Sequence, residues 1–109
     1  MTAQAHRPTA SFEQWLQAFQ AAYEHPGAID RLACPQCGEH QLNLRFILYG
    51  SREDEGHIVF WCCNCNNGIA LGPGTVPVGG VTVRRENAQI PQFHVVPPGD
   101  GEGNSWVRP

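Results

Sequence analysis

The first regular pattern of apolar residues in the chain has the period of an α-helix. Apolar side chains recur every three or four residues after residue 11, and the glutamines between them fall on other faces. Ser11 and Gln14 have the spacing of a capping box, and Pro26-Gly27 is a stop signal. We therefore predict a helix over residues 11–25 whose apolar stripe packs on the core, or alternatively on a partner helix. The stripe consists of Phe12, Trp15, Leu16, Phe19 and Tyr23.

The next pattern alternates with a period of two, which is typical of β-strands. Every second residue from Leu42 to Leu48 is large and apolar, residues 51–56 are polar, and residues 57–62 are rich in β-branched and aromatic side chains. These features predict a long β-hairpin with one continuous apolar face on which the helix docks. With a loop symmetric about residue 53, the predicted pairs are Leu48 with Ile58, Phe46 with Phe60 and Leu44 with Cys62 on that face, and Arg45 with Trp61, Ile47 with Val59 and Tyr49 with His57 on the other.

Shorter extended segments follow the hairpin. Residues 68–71 are predicted to form a third strand that Gly72-Pro73-Gly74 ends, and residues 76–78 and 81–83 are short extended pieces. Residues 90–96 are an apolar run whose Pro91 suits an edge strand or an extended strap, which we expect to cover the face of Ile47 and Val59. Residues 1–10 and 97–109 are expected to be flexible. The single domain is therefore predicted to span residues 11–96, with the C-terminal strands and strap over 75–96.

Two Cys-x-x-Cys hooks flank the predicted hairpin. Cys34 and Cys37 precede it, Cys62 and Cys65 close it, and 24 residues separate the two hooks. Two cysteines three residues apart on a tight turn present both sulfur atoms on one side, so two such turns complete the tetrahedral shell of soft ligands that Zn²⁺ prefers. The spacing therefore predicts one closed, four-thiolate site for a structural zinc ion.

The residues that follow each hook suit a chain that turns around a metal. Gly38 follows the first hook and Asn66-Asn67-Gly68 follows the second, and both glycine and asparagine tolerate a left-handed backbone. Over residues 32–72 the pattern resembles the zinc-ribbon family, also called rubredoxin-like knuckles. The resemblance implies a small, mostly-β fold with one N-terminal α-helix, in which two knuckles are joined by a long β-hairpin. It leaves the function open, because zinc ribbons serve in transcription, in translation and as scaffolds.

Other uses of the cysteines and histidines fit the spacing less well. Cys63 competes with Cys62 as the partner of Cys65, but only Cys62 repeats the spacing of the first hook, so Cys63 is expected to be a spare thiol. His40 or His57 would be needed as a ligand only in a three-thiolate site. Two disulfides, or four reduced and buried cysteines, are the remaining alternatives.

Composition and charge limit the classes of function. The chain has 109 residues and a formal charge of −3, and its seven basic residues are scattered arginines with no lysine among them. That is a poor electrostatic footprint for a nucleic-acid-binding protein. No apolar run is long enough to cross a membrane, and the first residues lack the basic-then-apolar pattern of a secretory signal. We therefore expect a protein of the cytoplasm.

The predicted function follows from the closed metal site and from the surface around it. A catalytic zinc keeps an open coordination position, and the common catalytic motifs are absent, so we do not expect an enzyme. The favoured hypothesis is a structural-zinc module that acts in protein–protein interaction or regulation. Arg45, Tyr49 and Trp61, on the exposed face of the hairpin, are its predicted partner surface.

Two other functions remain open from the sequence. The first is a nucleic-acid-binding zinc ribbon that uses Arg45, Arg52, Arg84 and Arg85 as contacts. The second is electron transfer by iron, because the first hook resembles a rubredoxin knuckle. The second hook, Cys62-Cys63-Asn64-Cys65-Asn66, departs from the matching Cys-Pro-x-Cys-Gly.

Overall fold

A computed structural model describes residues 10–98 as one α-helix, two short 3-10 helices and five strands in one sheet. The helix α1 is Phe12–Glu24, and the strands are β1 (Leu42–Leu48), β2 (Glu55–Cys62), β3 (Asn67–Thr75), β4 (Thr82–Arg84) and β5 (His94–Val95). The sheet order is β4-β1-β2-β3-β5, and the two outer strands pair in parallel with their neighbours while the three central strands are antiparallel. The predicted class, a small and mostly-β protein with one N-terminal helix, is confirmed.

Helix α1 begins and ends where its sequence signals predicted. The Ser11 side chain accepts a hydrogen bond from the Gln14 backbone N–H at 3.2 Å, and the Gln14 side chain accepts one from the Ser11 N–H at 2.8 Å. This capping box satisfies two of the donors that a helix start leaves unpaired. His25 caps the C-terminus, and Pro26 opens a 3-10 helix over Pro26–Arg31 that the sequence analysis did not predict.

The core lies between α1 and one face of the sheet, as predicted. Trp15 is completely buried and meets Phe60 edge-on, with 5.8 Å between ring centroids. Phe19 also packs on Phe60 at 6.1 Å, and Tyr23 on Phe46 at 6.2 Å. Tilted and edge-on aromatic contacts of this kind add to the free energy of apolar burial. The apolar stripe of α1 therefore packs on the core of its own chain, and no partner helix is needed to cover it.

The hairpin forms, but its predicted register is wrong by two residues. Leu44 lies opposite Phe60 and Phe46 lies opposite Ile58. The turn is centred on residue 52 and not on residue 53, because Glu55 and Gly56 belong to β2. Gly56 is required there, since a Cβ at this position would lie 2.8 Å from the Ile47 carbonyl oxygen. A shift of two residues keeps every side chain on its predicted face, so the core face is correct although the pairs are not.

Strand β3 is longer than the sequence indicates. The strand continues through the Gly72-Pro73-Gly74 segment that was predicted to end it. The register shifts at this point, since Ile58 pairs with Leu71 while His57 pairs with Pro73, which leaves Gly72 as an extra residue. A bulge of this kind accommodates the proline, which has no N–H to donate to a neighbouring strand.

The C-terminal segment crosses the opposite face of the sheet, which we call the strap face and define by Ile47, Val59 and Trp61. Phe93 stacks on Trp61 with ring centroids 5.7 Å apart and planes 10° apart. The Val96 N–H donates to the Gly68 carbonyl at 2.7 Å, and the Val96 side chain is buried in the core. Of the two forms predicted for residues 90–96, the edge strand is present as β5, and the contact of Phe93 with the strap face lies at Trp61.

The packed structure includes one residue that was assigned to the flexible N-terminus. Ala10 is buried, and its N–H donates to the Gln36 side chain at 3.2 Å. This hydrogen bond joins the start of α1 to the first cysteine hook. In the predicted C-terminal flexible segment, Pro97 and Pro98 are exposed and belong to no helix or strand, and residues 1–9 and 99–109 lie outside the described residues.

Replacing Gly68 with alanine should lower the free energy of unfolding by about 1–3 kcal/mol, because the new methyl group cannot fit between β2 and β3. An ideal Cβ at Gly68 would lie 2.6 Å from the Trp61 Cα, and this backbone cannot move without disturbing the sheet. Urea unfolding monitored by tryptophan fluorescence measures the change. Gly72→Ala is the matched control, because nothing lies within 4 Å of its Cβ position. Equal stability of the two variants would contradict the β2–β3 packing described above.

Candidate metal centre

The two hooks adopt the same local conformation. In the first, the Gly38 N–H donates to the Cys34 carbonyl at 2.9 Å, and in the second the Asn66 N–H donates to the Cys62 carbonyl at 2.9 Å. Gly38 has φ of +83° and Asn66 has φ of +61°, so both hooks end in the left-handed region. Asn66 is the only non-glycine residue with positive φ among residues 10–98. The residues chosen from sequence as tolerant of this backbone are therefore the ones that adopt it.

The hairpin places the two hooks side by side. Leu42 at the start of β1 pairs with Cys62 at the end of β2, so the chain just before β1 lies beside the chain just after β2. The Cys63 N–H donates to the Gln41 carbonyl at 2.9 Å, which joins the two segments directly. The convergence of the hooks is therefore a consequence of antiparallel pairing.

The four predicted ligand atoms lie close together in one cluster. The Sγ atoms of Cys34, Cys37, Cys62 and Cys65 all lie within 4.8 Å of one another. The Sγ atoms of Cys34 and Cys65 are 3.7 Å apart, as are those of Cys37 and Cys62. A tetrahedron with Zn–S bonds of about 2.3 Å has sulfur–sulfur edges of about 3.8 Å. A disulfide would need about 2.05 Å, and all five cysteines are free. The cluster therefore has the dimensions of a four-sulfur metal site.

Hydrogen-bond donors surround the sulfur atoms. The Gln36 and Cys37 backbone N–H groups point at the Cys34 sulfur at 3.2 and 3.4 Å, and the Asn64 N–H points at the Cys62 sulfur at 3.3 Å. The Asn64 side-chain amide also donates to the Cys37 sulfur at 3.3 Å. Such donors stabilise negative charge on sulfur and fix the direction of each thiolate. The role of Asn64 could not be predicted from the sequence, because only the folded turn shows which sulfur its side chain reaches.

The protonation of the cysteines reflects both burial and these donors. Burial raises the pKa of Cys34 well above its ordinary value, more than the backbone donors lower it. Burial also raises the pKa of Cys62. Burial acts in the same direction on Cys37, but the hydrogen bond from the Asn64 side chain and other donors outweigh it and lower its pKa to about 7. Without a cation, the buried pair Cys34 and Cys62 is therefore held as neutral thiols.

The remaining candidate ligands lie outside the cluster. Cys63 is exposed, and its sulfur accepts a hydrogen bond from the Asn43 side chain at 3.0 Å. His40 and His57 are also exposed. His57 instead stacks on Tyr49, with 4.8 Å between ring centroids. Within residues 10–98, the four cysteines are the one group of three or more potential ligands that could hold a metal ion.

The predicted partner surface changes in the folded chain. The Arg45 guanidinium carbon lies 5.9 Å from the centre of the Trp61 ring, although Arg45 pairs across the hairpin with Val59. The expectation that Trp61 is exposed is wrong, because Phe93 covers it and only 4% of its surface remains accessible. Tyr49 remains exposed and Arg45 is half-buried. The sequence of residues 90–96 does not by itself indicate which of its side chains contacts Trp61.

Comparison of the chain with protein-family models, with curated protein sequences and with solved structures finds no match. None of the helices in the described part of the chain is both long and apolar enough to span a membrane. The four-sulfur cluster is therefore the main guide to function.

Replacing Cys37 with serine should remove the bound metal and destabilise the region around the hooks, because metal-binding energy is also folding energy in such sites. Metal content by elemental analysis and the unfolding midpoint measure both effects. Cys63→Ser is the matched control and should keep the metal and the stability of the parent chain, since Cys63 lies outside the cluster. Loss of metal in Cys63→Ser with retention in Cys62→Ser would contradict the assignment.

Metal affinity should fall steeply as the pH is lowered, because protons compete with the metal for thiolates. At pH 7 the raised pKa values keep Cys34 and Cys62 protonated in the metal-free chain. Binding must then release at least these two protons, so each unit of falling pH should weaken binding by about 100-fold or more. Competition with a chromophoric zinc chelator between pH 6 and 8 measures the slope, and an affinity independent of pH would exclude thiolate ligation.

Proposed function

We propose that the chain is a structural-zinc module that acts in protein–protein interaction or regulation. The observation that carries the proposal is the cluster of four sulfur atoms within 4.8 Å of one another, with two pairs at 3.7 Å, all supplied by the chain itself. Cys34 and Cys62 are buried at 3% and 0% exposure, which leaves no evident position for water or substrate on that side. A closed four-thiolate shell favours a structural role for the metal and not catalysis at it.

Zinc is favoured over iron by the sequence of the second hook. The N–H donors around the sulfur atoms suit either metal, because both form tetrahedral thiolate complexes. Asn66 stands where the rubredoxin-like pattern has glycine, and Cys63 stands where that pattern has proline. Zn²⁺ when bound would supply charge neutralisation and a cross-link between the two hooks, with no redox chemistry.

Two of the four arginines considered as nucleic-acid contacts are already paired with acidic groups, which favours a protein partner over nucleic acid. Arg52 forms ion pairs with Asp54 and Glu55 at 3.2 and 3.5 Å, and Arg84 pairs with Glu53 at 3.0 Å. These cations are already matched by acidic groups, whereas a nucleic-acid-binding surface presents unmatched ones.

Exposed apolar residues offer contact points for a protein. The Val78 side chain, in the loop between β3 and β4, is 98% exposed, and Tyr49 is 37% exposed. Because Trp61 is buried, we expect a partner to cover Tyr49 and Val78. They replace the surface of Arg45, Tyr49 and Trp61 that the sequence predicted. Aromatic and apolar side chains at the centre of an interface commonly provide much of its binding energy.

The purified protein should contain one zinc ion per chain and be colourless. Elemental analysis measures the metal, and a red protein with iron would favour electron transfer instead. With the same preparation, neither DNA nor RNA probes should be shifted in an electrophoretic mobility assay at low ionic strength. A shift that weakens as salt rises would favour the nucleic-acid alternative.

The partner surface can be tested by cross-linking capture with the tagged chain. Any specifically recovered protein should be lost with Val78→Asp or Tyr49→Asp and retained with Ser51→Asp, which adds the same charge in the exposed hairpin loop. Retention in all three variants would show that neither residue belongs to the interface.

A further inference from the structure

A second feature of the fold is a cleft on the strap face, at the end of the sheet away from the cysteines. Its volume is about 530 Å³, which is within the range of small-molecule sites. The sheet supplies one wall and the segment after β4 supplies the other. The lining residues are Ile47, Tyr49, His57, Arg85, Ala88 and Ile90.

The cleft exists because the strap packs unevenly. Near the cysteines, Phe93 fills the space above Trp61 with a ring stacked at 5.7 Å. At the hairpin end the opposing wall carries the small side chain of Ala88 and the half-buried Ile90. Both of these side chains are smaller than the Phe93 ring, so a concave space is left at the hairpin end.

The walls of the cleft combine apolar surface, aromatic surface and one cation. Ile47 and Ile90 are aliphatic, and the stacked pair of Tyr49 and His57 presents flat ring surface with polar edges. Arg85 is the lining residue that carries a permanent positive charge. A predominantly apolar lining with a few polar groups is the usual composition of a small-molecule site.

The charge of Arg85 is not neutralised by its surroundings. Among residues 10–98, no acidic side chain lines the cleft. Within the described part of the chain, Arg85 forms no ion pair, whereas the neighbouring Arg84 is paired with Glu53 and Arg52 with Asp54. An unmatched guanidinium beside apolar walls is complementary to a carboxylate attached to an apolar body, because the planar fork of donors matches carboxylate geometry.

We propose that this cleft binds a small organic carboxylate with an apolar or aromatic body. Arg85 binds the carboxylate, Ile47 and Ile90 contact the body, and the Tyr49–His57 pair offers a stacking surface. This site lies apart from the four cysteines and does not depend on the identity of the metal, and it shares Tyr49 with the surface proposed for a protein partner.

A series of probes with one body and different charges tests the proposal. Chemical-shift perturbation of the ¹⁵N-labelled chain, as purified, is measured with 3-phenylpropionate, 3-phenylpropanol, 3-phenylpropylamine and acetate. The carboxylate should bind more tightly than the alcohol and the amine, with the largest shifts at residues 47–49, 57 and 85–90. Acetate should bind weakly because it lacks the apolar body.

Two variants and one control assign the interactions. Arg85→Gln should weaken 3-phenylpropionate binding by about three- to tenfold and leave 3-phenylpropanol unchanged, as expected for loss of one partly exposed charged contact. Ala88→Phe should weaken both probes by filling the cleft, and the rest of the spectrum reports whether the fold is kept. Arg31→Gln removes a different exposed arginine and should change neither affinity.

Three results would overturn the proposal. The first is an absence of saturable shifts at these residues with 3-phenylpropionate. The second is equal affinity for the carboxylate, the alcohol and the amine. The third is an equal loss in Arg85→Gln and Arg31→Gln, which would indicate non-specific attraction between charges.

Discussion

The convergence of four cysteine sulfur atoms is the constraint that fixes the first hook against the hairpin and the start of the helix. Residues 32–41 contain neither helix nor strand, and their position is set by the hook around Cys34 and by hydrogen bonds from neighbouring segments. Gln36 in this hook accepts from the Ala10 N–H, so the site is also connected to the start of α1. A metal at the four sulfurs would therefore cross-link the first hook to the end of the hairpin, and the hydrogen bond to Gln36 connects the helix start to this cross-link. In a chain of this size such a cross-link supplements a modest apolar core.

The sheet divides the molecule into a packed side and a more open side. On the packed side, Trp15, Phe46 and Phe60 are completely buried, and the helix closes the core. On the strap face, the contact of Phe93 with Trp61 is tight but the hairpin end holds a cleft. The packed side of the sheet therefore supplies the apolar core, and the strap face carries the cleft in which we place ligand recognition.

Much of this fold could be predicted from sequence because its signals are local. The capping box at Ser11, the alternation of β1 and the two hook spacings each depend on residues close together in the chain. The register of the hairpin was predicted incorrectly because it depends on where the loop ends. Gly56 belongs to the strand, where a Cβ would clash with the Ile47 backbone. The burial of Trp61 was missed for a similar reason, since Phe93 is more than 30 residues away in the sequence. Contacts between distant segments determine both features.

X-ray absorption spectroscopy at the metal edge of the purified protein is the most direct test of the central claim. The four-sulfur cluster predicts a single shell of four sulfur scatterers at about 2.3 Å around zinc. A shell containing nitrogen or oxygen, or cysteines recovered as disulfides without metal, would contradict it.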